Sequence, residues 1–163
     1  MIGKERHDVG RPDDQGYPIR GMIRGDYLYL KNFETERWPA GNPETGYMNV
    51  DGSPTKTEVL KAKHNKETAY YWQLSFGKRK AEELYNIRKD PDCMVNLAEM
   101  PEYETLKRKL EKEMTLRLVE QEDPRMFGRG GLFDKYPDMS PAHQFWNRTE
   151  AGEKCTFRMG KPY

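Results

Sequence analysis

Residues that usually carry chemistry are scarce in this chain. Of its 163 residues, two are cysteine, Cys93 and Cys155, and three are histidine, His7, His64 and His143. Two distant cysteines supply neither a disulfide framework nor a metal knuckle, and their spacing leaves one bridge between them open. The histidines lack the i, i+4 spacing that would put two imidazoles on one helix face. No Gly-x-Ser-x-Gly elbow is present. Gly128-Arg129-Gly130-Gly131 has the glycines of a phosphate loop, but no strand leads in and no Lys-Ser/Thr pair follows. No apolar run is long enough to span a bilayer, so no membrane partner is expected. Met1-Ile2-Gly3-Lys4-Glu5-Arg6-His7 has charge from the start and no apolar stretch like that of a signal peptide. Charge of one sign is also missing. Lys+Arg number 28 and Asp+Glu 27, a net charge of +1, which gives no overall field to steer nucleic acid. Apolar residues make up only 35% and mean hydropathy is −1.07. The core must therefore be thin, as in a subdomain resting on a larger body.

What is present is pattern. Residues 17–24 alternate: Tyr17, Ile19 and Ile23 share one face, and Arg20, Met22 and Arg24 the other. Gly25-Asp26 is good hairpin chemistry, glycine supplying a positive φ. That also accounts for the tripeptide Arg24-Gly25-Asp26 without a receptor. Residues 27–33 return with Leu28 and Leu30 on one face. Leu84 and Asn86 oppose Tyr85 and Ile87 in a third strand, 83–88, which Asp90-Pro91 stops. Ser53-Pro54 reads as an N-cap followed by proline at the first helical position, and two short helices with a break near Asn65 follow up to Gly77. The strongest helix is 101–121. Tyr103, Leu106, Leu110, Met114 and Leu118 recur at three and four on one face, and Pro101 and Pro124 bracket them. Residues 32–53 read as a long loop pinned by Trp38 and Tyr47, and 125–163 as loop and tail. The fold class expected is α+β: a small antiparallel sheet of about four strands packed against a long C-terminal helix, with long loops. The division expected is 1–136 as the subdomain and 137–163 as a loop-rich tail.

One stretch is more specific. Glu82-Glu83-Leu84-Tyr85-Asn86-Ile87-Arg88-Lys89-Asp90-Pro91-Asp92-Cys93-Met94-Val95-Asn96-Leu97-Ala98 resembles the E-E-L-Y-D-L-x-x-D-P-x-E-x-x-N-L-A run near the C-terminus of type I, formylglycine-dependent sulfatases. Asn86 replaces the usual Asp, Cys93 the usual Glu, and Lys80 stands where Pro often precedes the Glu pair. Gly3 to His7, Gly16 to Arg20, Tyr27 to Phe33, Arg37 to Gly41, Gly52 to Thr55 and Asp123-Pro124-Arg125 look like the end of heparan N-sulfatase-like members. The likeness covers Gly3 to about Tyr136.

The resemblance implies a C-terminal subdomain that completes the fold and lines the substrate pocket of a parent acting on sulfuric esters or sulfamates of sugars. Catalysis in that family needs Cys/Ser-x-Pro-x-Arg, and neither Cys93 nor Cys155 stands in such a motif. No turnover by this chain alone is expected. Calcium and formylglycine belong to the catalytic sulfatase domain, the implied partner, and the implied location is periplasmic or secreted. The implied substrate-binding residues are Glu5, Arg6 and His7. Arg6 could fork onto anionic oxygens, and Glu5 and His7 could bond hydroxyls. The plainer reading makes Glu5 and Arg6 an exposed ion pair and His7 a solvated loop residue. The alternative function is a stand-alone binding module for an anionic glycan or single-stranded nucleic acid, built on aromatic and basic surface.

Overall fold

The structure is a computed structural model that describes residues 1–6, 10–45, 53–140 and 142–154. The chain forms two compact units, each discontinuous in sequence. The first comprises Met1–Glu5, Pro18–Thr35 and Lys80–Lys135, and the second Arg6–Tyr17, Glu36–Arg79 and Tyr136–Tyr163.

The first unit is a four-stranded antiparallel sheet with a long helix on one face. Its strands, β1 (Ile2–Lys4), β2 (Ile19–Arg24), β3 (Tyr27–Asn32) and β4 (Glu82–Asn86), lie side by side in chain order. Gly25 holds φ +58 in the tight β2–β3 turn, as the hairpin pattern requires. The register sets Met22, Tyr29 and Leu84 in a row across β2, β3 and β4. This row packs with Ala98 against Leu110, Met114 and Leu118 of the helix α3 (Glu104–Glu120). Leu97, Tyr103, Leu106 and Met126 close the margin of this core. A 3₁₀ turn, Pro101–Tyr103, leads into α3, so proline opens the segment as expected. Polar side chains on the same sheet face reach across to the helix. Lys31 pairs with Glu111 at 2.7 Å, and Lys107 lies 3.4 Å from Glu82. The Tyr29 phenol donates to Glu82 at 2.6 Å; burial and then that carboxylate push its pKa far above the ordinary tyrosine value.

The segment after β4 explains its own sequence. Asn86 Oδ1 accepts from the N–H groups of Arg88 and Lys89 and bends the chain away. The Asp90 carboxylate accepts from Met94 N–H at 3.0 Å and Val95 N–H at 2.8 Å, which closes the loop that follows it. Asn96 then lies along the outer edge of β4. Its Oδ1 accepts from Leu84 N–H (2.9 Å) and Ala98 N–H (3.0 Å), and its Nδ2 donates to Glu82 C=O (3.1 Å). Leu97 N–H donates to Leu84 C=O at 2.8 Å. A side-chain amide thus does what a fifth strand would do, satisfying an edge that would otherwise invite pairing. Asn96→Ala should lower stability by about 1–3 kcal/mol, because it orphans Leu84 N–H as well as deleting the bonds. The urea midpoint would fall while the m-value holds; an unchanged midpoint would show that water replaces the amide.

The second unit holds α1 (Pro54–Ala62), α2 (Ala69–Phe76) and α4 (Phe145–Glu150). Ser53 Oγ caps α1 by accepting from Lys56 N–H at 3.2 Å, and the break between α1 and α2 falls at Asn65, as the sequence indicates. Trp38 meets Trp72 of α2 edge-on, ring centroids 6.0 Å apart, so Trp38 pins its loop; Tyr47 lies outside the described residues. Arg11 is buried and donates to the carbonyls of Gln15 and Pro39, which organises the loop without regular structure.

Residues 125–163 depart from loop and tail. They hold 3₁₀ turns at Pro124–Phe127 and Gly130–Lys135, and α4. No local signal marks α4. Its anchors come from far upstream: Asp13 and Asn147 exchange two hydrogen bonds of 2.8 Å, and Asp14 accepts from Gln144 N–H. The long helix is therefore not the last element. Among the described residues no helix is long and apolar enough to cross a membrane.

Candidate functional site

The N-terminal segment, where Glu5, Arg6 and His7 were expected to act, divides between the units. β1 pairs with β2 so that Gly3 stands opposite Arg20 and Lys4 opposite Ile19. That register delivers Glu5 to the Arg20 guanidinium, with Nη2 donating to Glu5 Oε1. Arg20 Nε donates to Asp123 Oδ2 at 2.6 Å. Arg125, two residues further on, forks onto both oxygens of Glu5 at 2.8 and 2.7 Å. Its guanidinium also lies over the rings of Phe33 and Phe133, 5.4 and 5.6 Å from their centroids. Asp123 accepts from Arg125 N–H at 2.9 Å, which fixes the turn that carries Arg125. Two guanidiniums and two carboxylates thus form one linked group, with side chains only 6–20% exposed.

Electrostatics follow the geometry. Burial pushes the Asp123 carboxyl up, but the Arg20 bond and the Arg125 N–H hold it below the usual carboxylate range. Burial works against the Arg20 charge, yet Asp123 and Glu5 raise its pKa above the ordinary arginine value.

Arg6 belongs to the second unit. It donates to Asp14 C=O at 3.2 Å and Tyr136 C=O at 2.8 Å. Asp14 is buried, and that burial, reinforced by Asp138, raises its carboxyl pKa against the opposing pull of Gln144 N–H, Arg6 and His143. His7 lies outside the described residues, as does Cys155 and with it the question of a Cys93–Cys155 bridge. Glu5 therefore pairs with Arg20 and Arg125, and Arg6 with two carbonyls. Asp123 and Arg125 stood in a quoted segment, but nothing in their spacing marked them as partners of Glu5, 120 residues away.

Also in the second unit, Lys63 lies over the Trp72 ring at 4.9 Å and Lys78 over Trp38 at 5.5 Å. Each ammonium also pairs with a glutamate at 3.1 Å, Lys63 with Glu44 and Lys78 with Glu36.

No family model matches this chain, and no curated protein matches it. Among the described residues no group of three or more His, Cys, Asp or Glu could hold a metal ion. The labels sulfatase and hydrolase, which the likeness of residues 82–98 suggested, are corrected accordingly. The polar residues of that stretch have a local structural role: Asn86, Asp90 and Asn96 each satisfy backbone amides around the strand-to-helix turn.

Proposed function

We propose that the chain is a non-catalytic accessory module, which completes the fold of a larger body and lines one wall of a pocket for an anionic sugar through Glu5, Arg6 and His7. The supporting observation is the second face of the sheet. The face that meets α3 is closed by the core. The other carries Ile19, Ile23, Leu28, Leu30 and Tyr85 beside the polar Asn32 and Glu83; Ile23 is 53% exposed and Leu28 and Leu30 are half-buried, whereas Tyr85, Asn32 and Glu83 are buried. An antiparallel sheet with one solvated face is ordinarily polar there; along β2 and β3 this one exposes Ile23, Leu28 and Leu30 in part, as for a layer that receives another. In this reading Arg20 and Arg125 hold the Glu5 carboxylate in place.

The test is made on the isolated chain. It should bind the dye ANS in its native state, and Ile23→Lys should reduce that binding while shifting stability by less than about 0.5 kcal/mol. A wild-type chain that binds no ANS would remove the basis for the reading. The second reading, a stand-alone module for an anionic glycan, is favoured by the Lys63–Trp72 and Lys78–Trp38 pairs. It expects heparin binding that weakens with salt and is lost in Lys63→Gln/Lys78→Gln.

A further inference from the structure

Helix α4 is six residues long, too short to hold its shape alone in water. It is anchored to the 3₁₀ turn Pro12–Asp14 of the same unit. Asp13 N–H donates to Asn147 Oδ1, and Asn147 Nδ2 donates back to Asp13 Oδ1, both at 2.8 Å. Just before the helix, Gln144 N–H donates to the Asp14 carboxylate, 2.8 Å from Oδ1 and 2.6 Å from Oδ2. With α4 docked, Ala142 and Phe145 are each 4% exposed.

Both sides of this contact are strained. Asp13, Asp14 and Gln144 all hold φ +53, in the left-handed region that residues other than glycine enter at a cost. Such strain persists only where the surrounding contacts hold it, so release of α4 would relieve it. The carboxylate at the centre is also poorly compensated. Asp14 is 6% exposed, and its two oxygens share a single N–H, whereas a carboxylate kept from water is well stabilised by two or three. The charges around it are mixed. Asp138 opposes its ionisation, while Arg6, which donates to Asp14 C=O at 3.2 Å, and His143 favour it. Asp13 of the same turn is bonded to Asn147, and Arg148 of α4 is paired with Glu153. Burial outweighs the opposing groups and raises the Asp14 carboxyl above its ordinary value.

We propose that this contact is a proton-linked latch: docking of α4 tightens when Asp14 takes up a proton and loosens as the proton is lost, which uncovers Phe145. The docked carboxyl binds its proton more tightly than the released one. The proton's contribution to docking is therefore fully present below the released value of about 3.9 and is lost as pH rises through the higher docked one. The latch does not depend on the accessory role, since every group in it belongs to the second unit.

The experiment is amide hydrogen exchange by NMR on the full chain between about pH 4.5 and pH 7.5, each rate being divided by the intrinsic rate at that pH. Protection of Arg148 and Ala151, whose N–H groups bond within α4 or its first turn, should fall as pH rises, while that of Gly77, at the end of α2, should hold. The Asp14 carboxyl carbon should titrate over the same interval. Asp14→Asn keeps an acceptor for Gln144 N–H but cannot ionise, so it should abolish the pH dependence. Asp138→Asn removes the like charge and should move the midpoint to lower pH. Wild-type protection that does not change with pH, a pH dependence retained in Asp14→Asn, or an Asp14 carboxyl that titrates no higher than about 3.9 would overturn the latch.

Discussion

Leu110→Asp should abolish cooperative folding of the first unit. Leu110 is 2% exposed and stands among Met22, Tyr29, Leu84, Met114 and Leu118. An aspartate there buries an ionised or reluctantly protonated carboxyl with no partner, at a cost of several kcal/mol. The leucine's own contacts are lost as well, worth about 2–5 kcal/mol in a Leu→Ala change. Against a total stability of about 5–15 kcal/mol for a domain, the sum leaves little folded chain. Circular dichroism should show no cooperative thermal transition. Leu116→Asp is the control: on the same helix but 61% exposed, it should move stability by about 0.5 kcal/mol at most. A normal melt for Leu110→Asp would mean that α3 does not pack on the sheet.

That packing was legible because it is periodic. Spacings of three and four mark Leu110, Met114 and Leu118 of α3 as the buried face, and the period of two marks the strands, without any knowledge of the fold. What the alternation does not disclose is which sheet face meets the helix. Leu28 and Leu30 look like core, yet Tyr29 faces α3, flanked by Lys31 and paired with Glu82. Those polar groups are accommodated because Glu111 and Lys107 of α3 meet them as ion pairs. Apolar residues on both sheet faces leave the choice to tertiary contacts. β1, three residues long, shows in the sequence only as a short strand-like start to the N-terminal loop.

The candidate site was less legible for a related reason. Chemistry in the N-terminal segment could be named residue by residue, but its meaning depends on partners. Glu5 looks free to accept a hydroxyl until the β1–β2 register brings Arg20 to it and the turn after α3 brings Arg125. Ion pairs across 15 and 120 positions leave no trace in spacing. The reverse holds for Asn96, whose role is local and whose position in the Asp90–Ala98 turn is a sequence signal with a structural cause.

Arg20→Met should be the second most damaging change. Arg20 bridges Glu5 and Asp123, so its loss leaves one guanidinium, Arg125, facing two carboxylates in a part-buried group. Breaking one member of a buried ionic group leaves charge without compensation, typically about 3–5 kcal/mol. Asp123 would keep the Arg125 N–H but lose its charged partner. Arg20→Lys should fall between, because an ammonium lacks the planar fork that serves both carboxylates. Replacing the group together, with Arg20→Met, Arg125→Met, Glu5→Gln and Asp123→Asn, should recover much of the loss, since the desolvation cost disappears with the charges. Acid titration supplies an independent check. The folded Asp123 pKa lies below its unfolded value of about 3.9. Its stabilising contribution is therefore fully present above that unfolded value and is lost as pH falls through the lower folded one. Wild type should lose stability below about pH 4, and Arg20→Met should lose less over the same interval because the contribution is already gone. Parallel pH profiles for the two proteins would show that Arg20 does not hold the Asp123 charge.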